Sequence, residues 1–198
     1  MKREAAEAVR AILLEEDGMT VVSSYLIPAL EEVGKKFEKG TLFLPQMLQA
    51  AGAAQECFEV VKGSLSGSVE NTISLGDVVL ATVEGDIHDI GKNIVRVIME
   101  NYGFHMIDLG RDVPKEKIVE TVLKHDIRLV GLSALMTTTL KSMEETIAAI
   151  REASPQCRVM VGGAVLTEEY AKAIGADYYC RDAMKSVEAA REVFGTEK

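Results

Sequence analysis

The chain has 198 residues, enough for one ordinary domain or two small ones, with 47% apolar residues and a formal charge of −9 from 22 basic and 31 acidic side chains. That balance excludes a disordered chain and argues against nucleic acid, whose phosphates need clustered Lys and Arg. No run of about 20 apolar residues is present to cross a membrane, and the N-terminal Met1-Lys2-Arg3-Glu4-Ala5-Ala6-Glu7 leads into an acidic amphipathic helix rather than a signal peptide. Cys57, Cys157 and Cys180 form no C-x-x-C pair, and the expectation is a reduced cytoplasmic protein.

Residues 1–70 read as a helical domain. Ala5, Ala6, Val9, Ile12 and Leu13 recur at helical spacing, and so do Val22, Leu26, Leu30 and Val33, with Pro28 expected to break or kink that segment. Gly40 and Pro45 mark a turn before a third stripe through Met47, Leu48, Ala51, Ala54, Phe58 and Val61. This half is expected to end near Lys62, and Gly63-Ser64-Leu65-Ser66-Gly67-Ser68 has the composition of a flexible connection.

Residues 71–198 change grammar. Short apolar runs at Asp77–Val83, His105–Leu109, Leu129–Ala134, Arg158–Val161 and Asp177–Cys180 alternate with helical patterns at Lys92–Asn101, Lys115–Lys124, Leu140–Glu152, Glu168–Ile174 and Ala183–Phe194. Five strands alternating with five helices predict an α/β domain: a doubly wound, flavodoxin-like or Rossmann-like five-stranded parallel sheet. Such sheets bind ligands at the carboxyl ends of their strands.

The first strand runs into Val83-Glu84-Gly85-Asp86-Ile87-His88-Asp89-Ile90-Gly91-Lys92-Asn93. A phosphate loop is excluded, because five residues separate Gly85 from Gly91 where the loop has four, and Lys92 is followed by Asn93 rather than Ser or Thr. A phosphoacceptor receiver domain is excluded too, since Ser133 and Cys180-Arg181 stand where an Asp and a Lys are needed. A lone histidine near a helix start needs no function, but Asp86 lies two residues before His88. A carboxylate on one ring nitrogen fixes the tautomer and leaves the other nitrogen as a metal donor. A metal cage built from protein needs three or four ligands, yet His105 and His125 have no ligand spacing to His88. One ligand makes sense when the metal arrives in a macrocycle.

Asp86-Ile87-His88-Asp89-Ile90-Gly91, then Ser133-Ala134-Leu135, then Gly162-Gly163 resemble the cobalamin-binding motif D-x-H-x-x-G, S-x-L, G-G, with 41 and 26 residues between successive parts. Val33-Gly34-Lys35-Lys36-Phe37-Glu38-Lys39-Gly40-Thr41-Leu42-Phe43-Leu44-Pro45-Gln46-Met47 independently resembles the helical cap of methionine synthase and of corrinoid methyl-carrier proteins. Nearly the whole chain is covered, and the run Gly131 to Thr139 is closer to the small stand-alone corrinoid proteins. The resemblance implies an N-terminal helical bundle cap on a cobalamin domain that carries methylcobalamin base-off and His-on, with His88 as the cobalt ligand. It implies a relay of Asp86, His88 and Thr139, and cofactor contacts from Asp89, Gly91, Ser133, Leu135, Thr137, Gly162 and Gly163. Phe37, Leu44 and Met47 fall where the family covers the upper cobalt face, although they suit a bundle core as well. The implied role is to carry a methyl group between a substrate:corrinoid methyltransferase and a corrinoid:acceptor methyltransferase acting on a folate, pterin or thiol, with a reductive activating protein. The chain alone would be non-catalytic. The alternatives are the small subunit of an adenosylcobalamin mutase, which lacks the cap, and a cobalamin-dependent sensor. Methanol, methylamines, betaines and aryl methyl ethers are all open as donors.

Overall fold

The computed structural model describes residues 2–64 and 74–195. The chain divides into two units, Met1–Ser74 with Glu100–Phe104, and Leu75–Met99 with His105–Lys198.

The first unit contains α1 (Lys2–Ile12), a short α2 (Gly18–Val21), α3 (Ile27–Glu38) and α4 (Leu44–Ser64). Its core gathers Val9, Val21, Val22, Leu26, Cys57 and Val61. Of the break or kink expected at Pro28, the break does not occur: the helical segment runs through it. A five-residue π-helical stretch, Val22–Leu26, leads directly into α3, and Pro28 sits in the first turn of α3. The third stripe is corrected as well: Leu48 is exposed, while Cys57 is buried beside Val61. Gly40 takes φ +67 in the turn, and the Phe43 N–H donates to Gln46 Oε1 at 2.8 Å to open α4. Helix α4 continues through Gly63 and Ser64, and positions 65–68 of the expected connection lie outside the described residues.

The second unit contains β1 (Asp77–Thr82), α5 (Ile90–Asn101), β2 (His105–Asp108), α6 (Lys115–Lys124), β3 (Leu129–Ser133), α7 (Leu140–Ala153), β4 (Arg158–Gly162), α8 (Glu168–Ala173), β5 (Tyr178–Tyr179) and α9 (Ala183–Phe194). The strands form one parallel sheet in the order β2-β1-β3-β4-β5, with Thr82 opposite Ser133 and Ser133 opposite Gly162. The expected elements are present with small shifts at their ends. Val83 leaves the ladder for an isolated bridge to Val113, and β5 keeps only two residues because only Met160 and Val161 face it.

The two faces of the sheet differ. Val79, Ala81, Val130, Leu132, Val159 and Val161 pack with Ile118, Val122, Met143, Ile147 and Ile150 of α6 and α7 into a closed core. Alternation sends Leu80, Gly131, Ser133, Met160 and Gly162 the other way. On that face glycine replaces bulk in the middle of β3 and at the end of β4, and the layer opens into a cavity.

Candidate functional site

The chain turns sharply after β1. The Asp86 N–H donates to the Val83 carbonyl at 3.1 Å, and Gly85 takes φ +85. This drives the Asp86 side chain inward, where it is fully buried. A buried carboxylate is stable only if its oxygens are matched by donors, and here five converge. Oδ1 accepts the His88 N–H at 3.0 Å and faces His88 Nδ1 at 2.8 Å. Oδ2 accepts the Leu135 N–H at 2.6 Å, the Met136 N–H at 3.2 Å and the Thr139 hydroxyl at 3.1 Å. Burial alone would raise the Asp86 pKa, but the bonds from His88, Leu135 and Thr139 outweigh it and hold the value at about 2. The group is a fixed anion.

An anion accepting at Nδ1 assigns the His88 proton to that nitrogen and leaves Nε2 with its lone pair. The His88 side chain is 47% exposed, so this nitrogen is not used up by packing. Around it Ile87 is 60% exposed, Ile90 79% and Leu135 42%, an apolar rim beside a metal-binding nitrogen.

Behind the rim lies a cavity of about 690 Å³ on the open face of the sheet. That lies within the usual range for a bound small molecule, roughly 300–1,000 Å³. Its floor is Leu80, Gly131, Ser133, Met160 and Gly162, and its walls come from the first turns of α5 and α9. The glycines differ in what they do. A Cβ on Gly163, at φ +144, would lie 1.8 Å from the Ala134 carbonyl oxygen, so the fold itself demands glycine there. A Cβ on Gly162 would approach the Cys180 carbonyl at 3.0 Å. A Cβ on Gly91 would meet nothing within 4 Å, and Gly91 lines the cavity. Packing among the described residues does not require that glycine.

Of the residues singled out from sequence, Asp86, His88 and Thr139 meet directly, and His88, Asp89, Gly91, Ser133, Leu135, Gly162 and Gly163 line the cavity. Thr137 does not: it is exposed on the 3₁₀ turn Thr137–Thr139 and is absent from the lining. Phe37, Leu44 and Met47 belong to the helical unit, with Met47 buried and the other two half-buried. Sequence reading missed Gly131, where a Cβ would come within 2.4 Å of Leu80 Cδ2 and 2.8 Å of Met160 Cε. Its signal was available, a glycine inside a strand pattern. It also missed the buried pair Lys92–Asp108, in which Asp108 accepts from Lys92 and from the Gly110 N–H. Burial would raise the Asp108 pKa, but the Lys92 and Gly110 bonds lower it on balance.

Comparison with known proteins matches this geometry. Two models described as a B12 binding domain fit the chain, one over residues 76–191 and one over residues 1–62. Dimethylamine corrinoid protein 3 of Methanosarcina acetivorans is 38% identical over 194 residues, 97% of this chain and 90% of that protein. Trimethylamine corrinoid protein 1 of Methanosarcina mazei is 40% identical over 192 residues, 94% of this chain and 89% of that protein. The chain belongs to the B12-binding corrinoid protein family. Among solved structures, the methanol:cobalamin methyltransferase complex MtaBC of Methanosarcina barkeri aligns with a TM-score of 0.85 at 27% identity, covering all of this chain and 76% of the matched one. A corrinoid brings its own equatorial ligands, and the residues present fit that demand. Among the described residues no three His, Cys, Asp or Glu side chains gather as a cage, and one imidazole nitrogen stands available beside a hollow slot. The three cysteines are free and buried, and burial pushes the Cys157 thiol up to about 12 and the Cys180 thiol up to about 11. They are inert rather than redox-active. Among the described residues no helix is long and apolar enough to cross a membrane.

Proposed function

We propose that this corrinoid protein carries a methyl group between two methyltransferases, with His88 as the lower axial ligand of the bound cobalt. The observation that carries the reading is the Asp86–His88 pair at 2.8 Å, with the other ring nitrogen uncommitted at the mouth of the cavity. Bound there, the corrin supplies a cobalt centre that accepts a methyl group and gives it up.

The chain's own residues orient, ligate and manage a proton. Asp86 stays ionised, and a carboxylate behind imidazole makes it a better electron-pair donor. A proton taken up at Nε2 would occupy the donor pair and end its availability, so ligation and proton uptake oppose each other. The Thr139 hydroxyl has two acceptors in reach, Asp86 Oδ2 at 3.1 Å and the Met136 carbonyl at 2.9 Å, but only one proton to give. Its rotation adjusts how fully Asp86 is satisfied as the charge on the pair changes. Gly91, Ser133, Gly162 and Gly163 frame the slot for the displaced nucleotide tail, Leu135 lies on the apolar rim, and Asp89 completes the turn before α5 with its carbonyl accepting from Asn93 at 2.8 Å.

The partners in this reading are a methyltransferase that loads the methyl group from a small donor, one that passes it to a folate, pterin or thiol, and a reductive activating protein. Methylamines are the first donors to test, because the similar proteins named above are dimethylamine and trimethylamine corrinoid proteins. The setting proposed is the cytoplasm, and the protein would not turn over alone. The test loads the purified chain with methylcobalamin and compares its visible spectrum with that of His88→Ala. A His88-dependent band shift, followed by demethylation when a corrinoid:thiol methyltransferase and its thiol acceptor take the methyl group, is the expected result. A wild-type spectrum identical to that of His88→Ala removes the axial-ligand assignment.

A further inference from the structure

The Asp86 carboxylate is gripped from the β3 side, by Leu135, Met136 and Thr139. Its backbone is gripped from the opposite side, by the loop that leaves β2. That loop is itself well anchored. The Gly110 carbonyl accepts from Thr82 N–H at 3.0 Å, the Val113 N–H donates to the Thr82 carbonyl at 3.1 Å, and Val113 bridges Val83. At its start, Asp108 is held by Lys92 and by the Gly110 N–H.

Between these anchors stands Asp112, with two bonds to the turn before His88. Its Oδ1 accepts the Gly85 N–H at 2.7 Å, and its own N–H donates to the Asp86 carbonyl at 2.9 Å. To make both bonds Asp112 adopts φ +53, a conformation that costs a residue with a side chain. Asp126 is the only other described non-glycine residue in that region. The β2–α6 loop thus carries backbone strain at the residue that holds the Gly85-Asp86 dipeptide at both ends, by the Gly85 N–H and the Asp86 carbonyl.

We propose that Asp112 is a positioning residue for His88: by clamping Gly85 and Asp86 it fixes where the Asp86 carboxylate meets Nδ1 and so where Nε2 points. The proposal rests on the reading of His88 as axial ligand for its functional meaning, but its structural core does not. Asp112 touches neither the cavity nor the imidazole; it acts through Asp86. Losing one charge-assisted hydrogen bond on an exposed turn predicts a fall of about three- to tenfold in the ratio of coordinated to free imidazole.

The experiment uses the full chain with Asp112→Ala, Asp112→Gly and Asp112→Asn, and His88→Ala as the uncoordinated reference. Two readouts are taken: the visible spectrum with methylcobalamin bound, and the ¹⁵N shifts of the His88 ring without cofactor, which report its tautomer. Glycine adopts φ +53 freely and keeps the backbone bond, so it isolates the side chain. Asparagine keeps an oxygen that can accept from the Gly85 N–H. The expected result is that Asp112→Ala and Asp112→Gly both move towards the His88→Ala spectrum and mix the tautomers, while Asp112→Asn stays near wild type. Wild-type behaviour of Asp112→Gly in both readouts would overturn the proposal, as would Asp112→Asn matching Asp112→Ala. If Asp112→Ala does not fold, the Gly and Asn variants decide alone. If wild type and His88→Ala share one spectrum, the axial-ligand reading fails, and the tautomer readout still decides whether Asp112 positions His88.

Discussion

Two acids close neighbouring strands of the same sheet, and the chain treats them in opposite ways. Asp108, at the end of β2, is answered by the ammonium of Lys92, and both side chains are largely buried, at 18% and 2% exposure. That pair is closed on the protein itself: the Lys92 ammonium donates to Asp108 and to Asn93 Oδ1. Asp86, just after β1, has a fully buried side chain and is answered by the imidazole ring of His88, 47% exposed. Imidazole has two nitrogens, so satisfying the acid with one leaves the other for chemistry. The same problem, a carboxylate near a strand end, becomes a structural clamp with lysine and a ligand site with histidine.

The largest effect should come from emptying the open pair at its buried end. Asp86→Ala strands the Leu135 and Met136 N–H groups, with an expected loss of about 3–5 kcal/mol in urea unfolding. Breaking the closed pair comes next. Lys92→Met leaves Asp108 with the Gly110 N–H and the more distant Arg96 Nε at 3.8 Å, and should cost about 3 kcal/mol, whereas Lys92→Met with Asp108→Leu should recover most of that loss. No recovery in the double variant would mean that Asp108 has a role of its own.

Acid should act through Asp86. Its pKa falls from 3.8 to about 2 on folding, so its contribution is fully present above the unfolded value and is lost as pH drops through that window. The size is about 2 kcal/mol, measured as the difference in unfolding free energy between about pH 5 and pH 2 and compared with Asp86→Ala, which should lack it. His88→Ala should cost less, about 1 kcal/mol or under, since four donors to Asp86 remain; its large effect belongs in the corrinoid spectrum. The smallest stability change is expected for Gly91→Ala, a gain of about 0.5 kcal/mol from helix propensity. Gly91 lines the cavity, so weakened methylcobalamin binding with no loss of stability is the expected signature.

How much was legible in the sequence differs between the two pairs. Asp86 and His88 are two residues apart, and their relation could be read from a turn at a strand end. Lys92 and Asp108 are joined only because β1 and β2 pair in parallel, with Leu80 opposite Asp108, which brings the start of α5 to the end of β2. The π-helical stretch before Pro28 and the exposure of Leu48 were illegible for a related reason: a periodic stripe names a helix but not which side of it finds a neighbour.

By itself the sequence determined the two grammars, the order of five strands and five helices, and the histidine held by an acid. These are local facts, fixed by the 2.0 and 3.6 residue periods and by the short reach of a side chain along the backbone. Only the tertiary structure decided that the sheet has one filled and one hollow face, that Gly131 joins Gly162 in the hollow, and that five donors converge on Asp86. Those depend on which distant strands lie side by side, and hydrogen-bond register is set by the packing of the whole sheet.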